Sequence, residues 1–208
     1  RDYTVYIKRE SDLALAPFEN IEKYCIASYQ GSGKFCPSVW WLGLTWDELI
    51  ALEPPPKLKK LSTIVSSLEN MPLHKKRLDF IRGLSERTNI DVYGKGHRLD
   101  AFSGKYKGEV HGAKFSRCKA EALSAYKYSI AIENNTDLGY FTEKLCDCLL
   151  MFCIPLYYGA PDINMYFPAD SIISLKSLEG LHLEKLCEEL DCDSLHRRVN
   201  LSSLKYAR

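Results

Sequence analysis

A chain of 208 residues that is 46% hydrophobic, 26% charged and 12% aromatic has the makings of one folded domain or a small pair, which excludes a disordered tail. Its 28 lysines and arginines nearly cancel 27 aspartates and glutamates, and a net charge of +1 excludes the global basic field that draws a whole protein onto nucleic acid. The longest apolar stretch, around Cys148 to Tyr158, contains Pro155 and is far shorter than the ~20 residues of a membrane-spanning helix.

In chain order, residues 1–53 offer strand-like Tyr3 to Lys8, strand-like Tyr24 to Tyr29 and the run Val39-Trp40-Trp41-Leu42, too little for an α/β domain and read as the remnant of an N-terminal lobe. Residues 54–60, Pro54-Pro55-Pro56 and then Lys57-Leu58-Lys59-Lys60, read as a stiff, solvated linker. Residues 61–208 form the main domain. Its expected elements are strand Leu61 to Ser66, helix Leu73 to Arg87, strand Ile90 to Tyr93, a Gly-rich polar loop from Gly94 to Lys119 and strand Lys127 to Glu133. Helix Phe141 to Phe152, strand Ile154 to Tyr158, strand Ser171 to Leu175 and helix Leu178 to Leu190 complete it. Strands alternating with helices predict an α/β fold, a Rossmann-like parallel sheet with helices on both faces.

Two phosphate-loop patterns fail on inspection. Gly31-Ser32-Gly33-Lys34 would need glycine at Ser28 and Ser or Thr at Phe35, and Gly94-Lys95-Gly96 would need its third glycine at Leu99. The eight cysteines lack metal-ligand spacing: no C-x-x-C is present, and Cys146 and Cys148 point to different sides of a helix, so buried free thiols are expected and no metal site.

Cations cluster where anions bind. His74-Lys75-Lys76-Arg77 sits where the first strand hands over to its helix, the side of an open sheet on which ligands lodge, and cations at the positive end of a helix dipole repel one another unless an anion relieves them. The loop from Lys95 to Lys119 adds seven cations against Asp100 and Glu109, most of them expected in solvent. In the densest segment, Tyr126 to Pro161, a buried strand ends in Glu133-Asn134-Asn135, a loop carries Gly139-Tyr140, and Thr142 caps a helix that opens at Glu143-Lys144. Backbone N–H groups and Lys144 then face whatever sits beyond the strand ends, an arrangement that suits a diphosphate.

Residues 60–175 resemble the C-terminal, donor-binding domain of the family 10 glycosyltransferases, the α1,3/α1,4-fucosyltransferases. The family's run is close to Y-K-F-x-I-A-x-E-N-S, D-Y-x-T-E-K-x-x-D-A and x-P-V-Y-W-G-A-P. This chain has YKYSIAIENN from Tyr126, LGYFTEKLCDC from Leu138 and IPLYYGAP from Ile154, in the same order and spacing. The run DVYGKG from Asp91 is similar to the family's D-x-Y-G-R-G. It departs from the family at Asn135 for Ser, Tyr158 for Trp, and Ser66-Ser67-Leu68 for Ser-Asn-Cys.

The resemblance implies the C-terminal half of a GT-B type enzyme that transfers L-fucose from GDP-β-L-fucose, with inversion, to a hydroxyl of an oligosaccharide or glycoconjugate acceptor. Carried over, Arg77 and Lys144 hold the diphosphate and Glu143 the ribose. Asn134 and Tyr140 line the phosphate and fucose end, Tyr93, Gly94 and Lys95 border the guanosine, and Glu133 belongs to the same donor-binding set. The family's catalytic carboxylate lies in the N-terminal lobe after a strand, which makes Glu10 of Val5-Tyr6-Ile7-Lys8-Arg9-Glu10-Ser11 the candidate base. No cofactor is required, since fixed cations and a helix N-terminus stabilise the departing GDP without a metal.

Alternatives stay open: a catalytically inactive nucleotide-sugar or glycan-binding module, favoured by the short acceptor lobe, and a nucleic-acid-binding domain using the 95–119 loop, which the net charge disfavours. The opening Arg1-Asp2-Tyr3, without Met or signal-peptide pattern, suggests a chain that begins inside a longer protein, either excised, reduced or completed as a homodimer. With no leader visible, the expected location is cytoplasmic, at most peripheral to a membrane, ahead of the Golgi lumen.

Overall fold

The computed structural model describes residues 6–8, 25–28, 40–112, 118–195 and 199. Glu10 and Gly31-Ser32-Gly33-Lys34 lie outside them. Strands β1 (Tyr6–Lys8) and β2 (Cys25–Ser28) pair in parallel as a two-stranded sheet. Helix α1 (Trp46–Ile50) follows a capping box that sequence reading missed: Thr45 accepts from the Glu48 N–H while the Glu48 carboxylate accepts from the Thr45 N–H. Leu42 and Leu49 from this stretch join the main core, and the Ala120 N–H donates to the Leu42 carbonyl.

The main sheet contains β3 (Lys59–Ile64), β4 (Asp91–Tyr93), β5 (Tyr126–Ile132), β6 (Ile154–Tyr158) and β7 (Ile173–Ser174), in the order β4-β3-β5-β6-β7 and parallel throughout. A parallel sheet is covered on both faces, and the near-continuous apolar runs of β5 and β6 are correspondingly buried. Helix α2 (Pro72–Arg87) joins β3 to β4, and the short α3 (Ala101–Gly104) and α4 (Glu121–Ser124) lie in the long passage from β4 to β5. Helix α5 (Glu143–Leu150) joins β5 to β6, and α6 (Leu181–Asp191) follows β7. The chain moves from β3 outward to β4, then back across β3 to β5 and on to β6. Right-handed crossovers in opposite directions put α2 on one face and α4 and α5 on the other.

The expected α/β fold stands, with local differences that hydrogen bonding explains. The first strand begins at Lys59, inside the stretch read as linker, because the Lys59 N–H donates to the Ala125 carbonyl and Lys59 pairs with Tyr126. Lys57 is not solvated: its ammonium donates to the carbonyls of Ser124 (2.9 Å) and Met151 (2.6 Å). Burial pulls its pKa below the usual lysine value, against the opposing influence of the Cys153 thiol. The described part of the Gly94–Lys119 loop also makes sheet-like pairings. Residues 105–107 pair along the free edge of β4, with the Val92 N–H donating to the Lys105 carbonyl (3.0 Å) and the Lys107 N–H to that of Val92 (2.7 Å), which closes the edge to other strands. Lys105 donates to the carbonyls of Ser85 and Thr88, and Lys107 pairs with Asp91.

Beyond the strand ends β3 and β4 keep running side by side: the Val65 N–H donates to the Tyr93 carbonyl and the Ser67 N–H to that of Lys95. Gly94 makes this approach possible. Its φ is +130°, and a Cβ there would lie 1.9 Å from the Val65 oxygen. Gly94→Ala is therefore expected to lower the unfolding free energy by at least the ~1–3 kcal/mol of a strained backbone, read as a lower urea midpoint with an unchanged slope.

Candidate functional site

Where successive crossovers leave a parallel sheet in opposite directions, the loops at the strand ends part and open a crevice. Here that point lies between β3 and β5. A cavity of about 220 Å³ occupies it, walled by Ser66 beyond β3, Arg77 of α2, Gly94 and Lys95 beyond β4, Lys119, and the α5 residues Glu143, Lys144 and Asp147. Thr142 caps α5 by accepting from the Lys144 N–H, so the first turn of that helix opens on the same crevice.

Two cations reach the cavity from opposite faces of the sheet. Arg77 is buried (5% exposed); it donates to Asn134 Oδ1 (2.6 Å) and Ser66 Oγ (3.2 Å), and its Nε has no hydrogen-bond partner among the described residues. Burial lowers its pKa while Glu133 works the other way, and an arginine stays protonated regardless. Lys144 donates to Glu133 Oε2 (3.3 Å) and Thr142 Oγ1 (2.9 Å). Burial disfavours its charge, but Glu133 and Glu143 outweigh that and raise its pKa. Glu143 is held below the ordinary carboxylate value, burial being overcome by Lys144 and Lys119 together.

The sequence-predicted residues divide by placement. Arg77, Gly94, Lys95, Glu143 and Lys144 line one cavity, and Asn134 joins them through Arg77. Glu133 needs correction: it is 0% exposed, and its oxygens accept from the Thr142 N–H (2.8 Å), the Thr142 hydroxyl (2.7 Å) and Lys144. It positions the helix start and cannot touch a ligand. Tyr93 is the second correction, because its hydroxyl lies 2.6 Å from that of Tyr126, which donates to Asp91 at the opposite, amino end of the sheet. Only the backbone that leads into Gly94 borders the cavity. Tyr140 is buried at 1% exposure, close enough to Arg77 to act on its charge. Of the His74-Lys75-Lys76-Arg77 run, His74 and Arg77 face inward, and Lys76 meets Glu179 at 3.3 Å.

Sequence reading missed Ser66, Lys119 and Asp147. Lys119 lies 3.3 Å from Asp147 and 3.6 Å from Glu143, and Asp147 also accepts the Trp41 N–H (2.8 Å). A signal existed: Glu143 and Asp147 stand four apart on one helix, as do Lys144 and Cys148, so one face carries all four.

The sequence pattern described as Glycosyltransferase family 10 (fucosyltransferase) C-term matches residues 55–196. Alpha-(1,3)-fucosyltransferase B of Drosophila melanogaster is 34% identical over 92 residues, covering 44% of this chain and 21% of its own length. A 3-galactosyl-N-acetylglucosaminide 4-alpha-L-fucosyltransferase of Pan troglodytes is 26% identical over 170 residues, covering 80% and 42%. The crystal structure of an alpha1,3-fucosyltransferase with GDP superposes with a TM-score of 0.51 at 23% identity, covering 71% of this chain and 38% of that one. The fold is thus that of one part of a GT-B type structure, and the chain spans less than half the length of each of these relatives.

Asp147 generates a pH prediction. Burial, more than Lys119 and the Trp41 N–H can offset, pushes its carboxyl pKa up to about 6 from 3.8. The folded state thus binds this proton more tightly than the unfolded one. The stability so contributed is full below about pH 4 and is lost as pH rises through about 6, at most about 3 kcal/mol. Asp147→Asn should remove this loss, so that the variant gains on the parent between pH 4 and 7 in urea unfolding. A constant difference would show that Asp147 titrates normally.

Proposed function

Because the chain belongs to glycosyltransferase family 10, the fucosyltransferases, we propose that it transfers L-fucose from GDP-fucose to a hydroxyl of a saccharide acceptor, with inversion at the anomeric carbon. One observation carries the reading: Arg77 and Lys144 converge from opposite faces of the sheet on a cavity at its switch point, beside the first turn of α5. A diphosphate needs fixed positive charge in such a place, and the relative solved with GDP shares the fold.

In this reaction the bond between the fucose anomeric carbon and the β-phosphate oxygen breaks, and its electron pair leaves with GDP. The acceptor oxygen attacks the opposite face and loses its proton to a carboxylate. Arg77 and Lys144 neutralise the charge that grows on the diphosphate, and because Glu133, Thr142 and Asn134 already hold them, little reorganisation is needed as the bond breaks. Glu143, at the same helix start, accepts the ribose hydroxyls. In this reading side chains carry the leaving-group charge and no metal is required. Glu10 is the proposed base.

GDP and GDP-fucose should raise the melting temperature while UDP and CMP do not, with about 2.7 kcal/mol of stabilisation at 100 times the dissociation constant. Selective stabilisation by uridine nucleotides would sink the assignment. Arg77→Ala and Lys144→Ala should each weaken GDP binding by about 1.5–3 kcal/mol in calorimetry. Glu10→Gln should leave GDP-fucose affinity near that of the parent and cut transfer by roughly 10²- to 10⁴-fold, and an unchanged transfer rate would place the base elsewhere.

A further inference from the structure

We propose that His97 is a positioning residue for GDP, a role that rests on the donor reading above: by holding the Val65 carbonyl it fixes the two strand ends that carry Lys95 and Ser66, and through Ser66 it aims Arg77.

The chain from Gly94 to His97 wraps around one atom. Gly94 passes so close to the Val65 oxygen that a Cβ would lie 1.9 Å from it, and the His97 ring then returns to the same oxygen, with Nε2 at 2.8 Å. A carbonyl oxygen only accepts, so Nε2 carries the proton and donates. The turn also closes on the next residues of the β3 end: the Ser67 N–H donates to the Lys95 carbonyl (3.0 Å), and a Cβ on Gly96 would lie 2.3 Å from Ser67 Oγ. Between the anchored Val65 and Ser67 stands Ser66, whose hydroxyl accepts from Arg77 at 3.2 Å. Movement at the Val65 carbonyl is therefore passed to Lys95 on one side of the cavity and to Ser66 and Arg77 on the other.

The ring is itself held in place. Edge-to-face contacts with Phe102 (4.9 Å between ring centres) and Tyr106 (5.4 Å) keep it half-buried, and the Tyr106 hydroxyl donates to the Gly94 carbonyl (2.7 Å), so ring and turn share one support. Burial lowers its pKa; the Val65 carbonyl and Glu109 oppose this, while Arg82 and Arg77 of α2 reinforce it. A neutral imidazole adds no charge beside Arg77, and its contribution to anion binding is geometric. Geometry matters because charge-assisted contacts to a diphosphate are short and directional, and a binding constellation must be held to within about 0.5 Å.

The test is calorimetric titration of GDP into the full chain and two variants, with amide hydrogen exchange of the same proteins without nucleotide. His97→Leu removes the donor and keeps an apolar side chain, whereas the amide nitrogen of His97→Gln can reach the place of Nε2. His97→Leu should weaken GDP roughly 5- to 10-fold and His97→Gln should bring it back to within about twofold of the parent. Exchange of the Ser67 N–H should quicken in His97→Leu and return to the parent rate in His97→Gln, with β5 amides unchanged in each. Parent-like GDP affinity in His97→Leu overturns the proposal, as does a His97→Gln variant that binds as weakly as His97→Leu. Faster exchange throughout β5 in His97→Leu would mark a general loss of stability and also overturn it. Should the parent bind no GDP, the donor reading fails and Ser67 exchange still decides the role of His97: quickened by leucine and restored by glutamine, it supports a ring that positions the cavity wall, and unchanged by leucine, it overturns that role.

Discussion

A carboxylate with no solvent exposure survives in a protein core only if its oxygens are occupied by donors and a cation. Glu133 meets that condition through Thr142 and Lys144, and much of the site follows from it. Standing just past the end of β5, it fixes where α5 begins, which hydroxyl caps the helix and where Lys144 points. Its own N–H donates to the Tyr158 carbonyl, so β6 is held by the same residue. The next turn of chain must then pass very close: a Cβ on Gly159 would lie 2.6 Å from Glu133 Cγ and 2.3 Å from the Tyr157 hydroxyl, so only glycine fits.

Around this buried pair the positive charges are only partly cancelled. Arg77 is desolvated and spends two nitrogens on neutral oxygens, Asn134 Oδ1 and Ser66 Oγ, which orient it without cancelling its charge. Lys119 is the counterweight on the other wall, shared between Glu143 and Asp147. Asp147 extends the network away from the cavity: its bond from the Trp41 N–H anchors residues 40–42, and the Trp41 ring covers Gly112, where a Cβ would lie 1.1 Å from Cδ1. Segments distant in sequence are thereby docked on the helix that opens the site.

Two cavities at the carboxyl ends of the strands differ in their linings. One is walled by cations and carboxylates, the other by hydroxyls, an amide and an aromatic ring.

The order of strands and helices was legible in the sequence because period and β-branched or aromatic content are local properties, and the long buried β5 and β6 state them strongly. The candidate cations Arg77 and Lys144 were legible too, since each sits within a few residues of a helix start, where an anion is the simplest relief for local charge. What only the tertiary structure decided is which atoms meet. Tyr93 belongs to a motif beside the cavity, yet the strand pleat and the ring of Tyr126 send its hydroxyl to the other end of the sheet. Lys57, in a run that reads as solvated, finds two carbonyls 67 and 94 residues away. Lys119 and Asp147 become a pair because two walls fold together. Periodicity assigns a residue to a face, whereas its partner depends on crossover handedness and strand register, which bring remote segments into contact and leave no local mark.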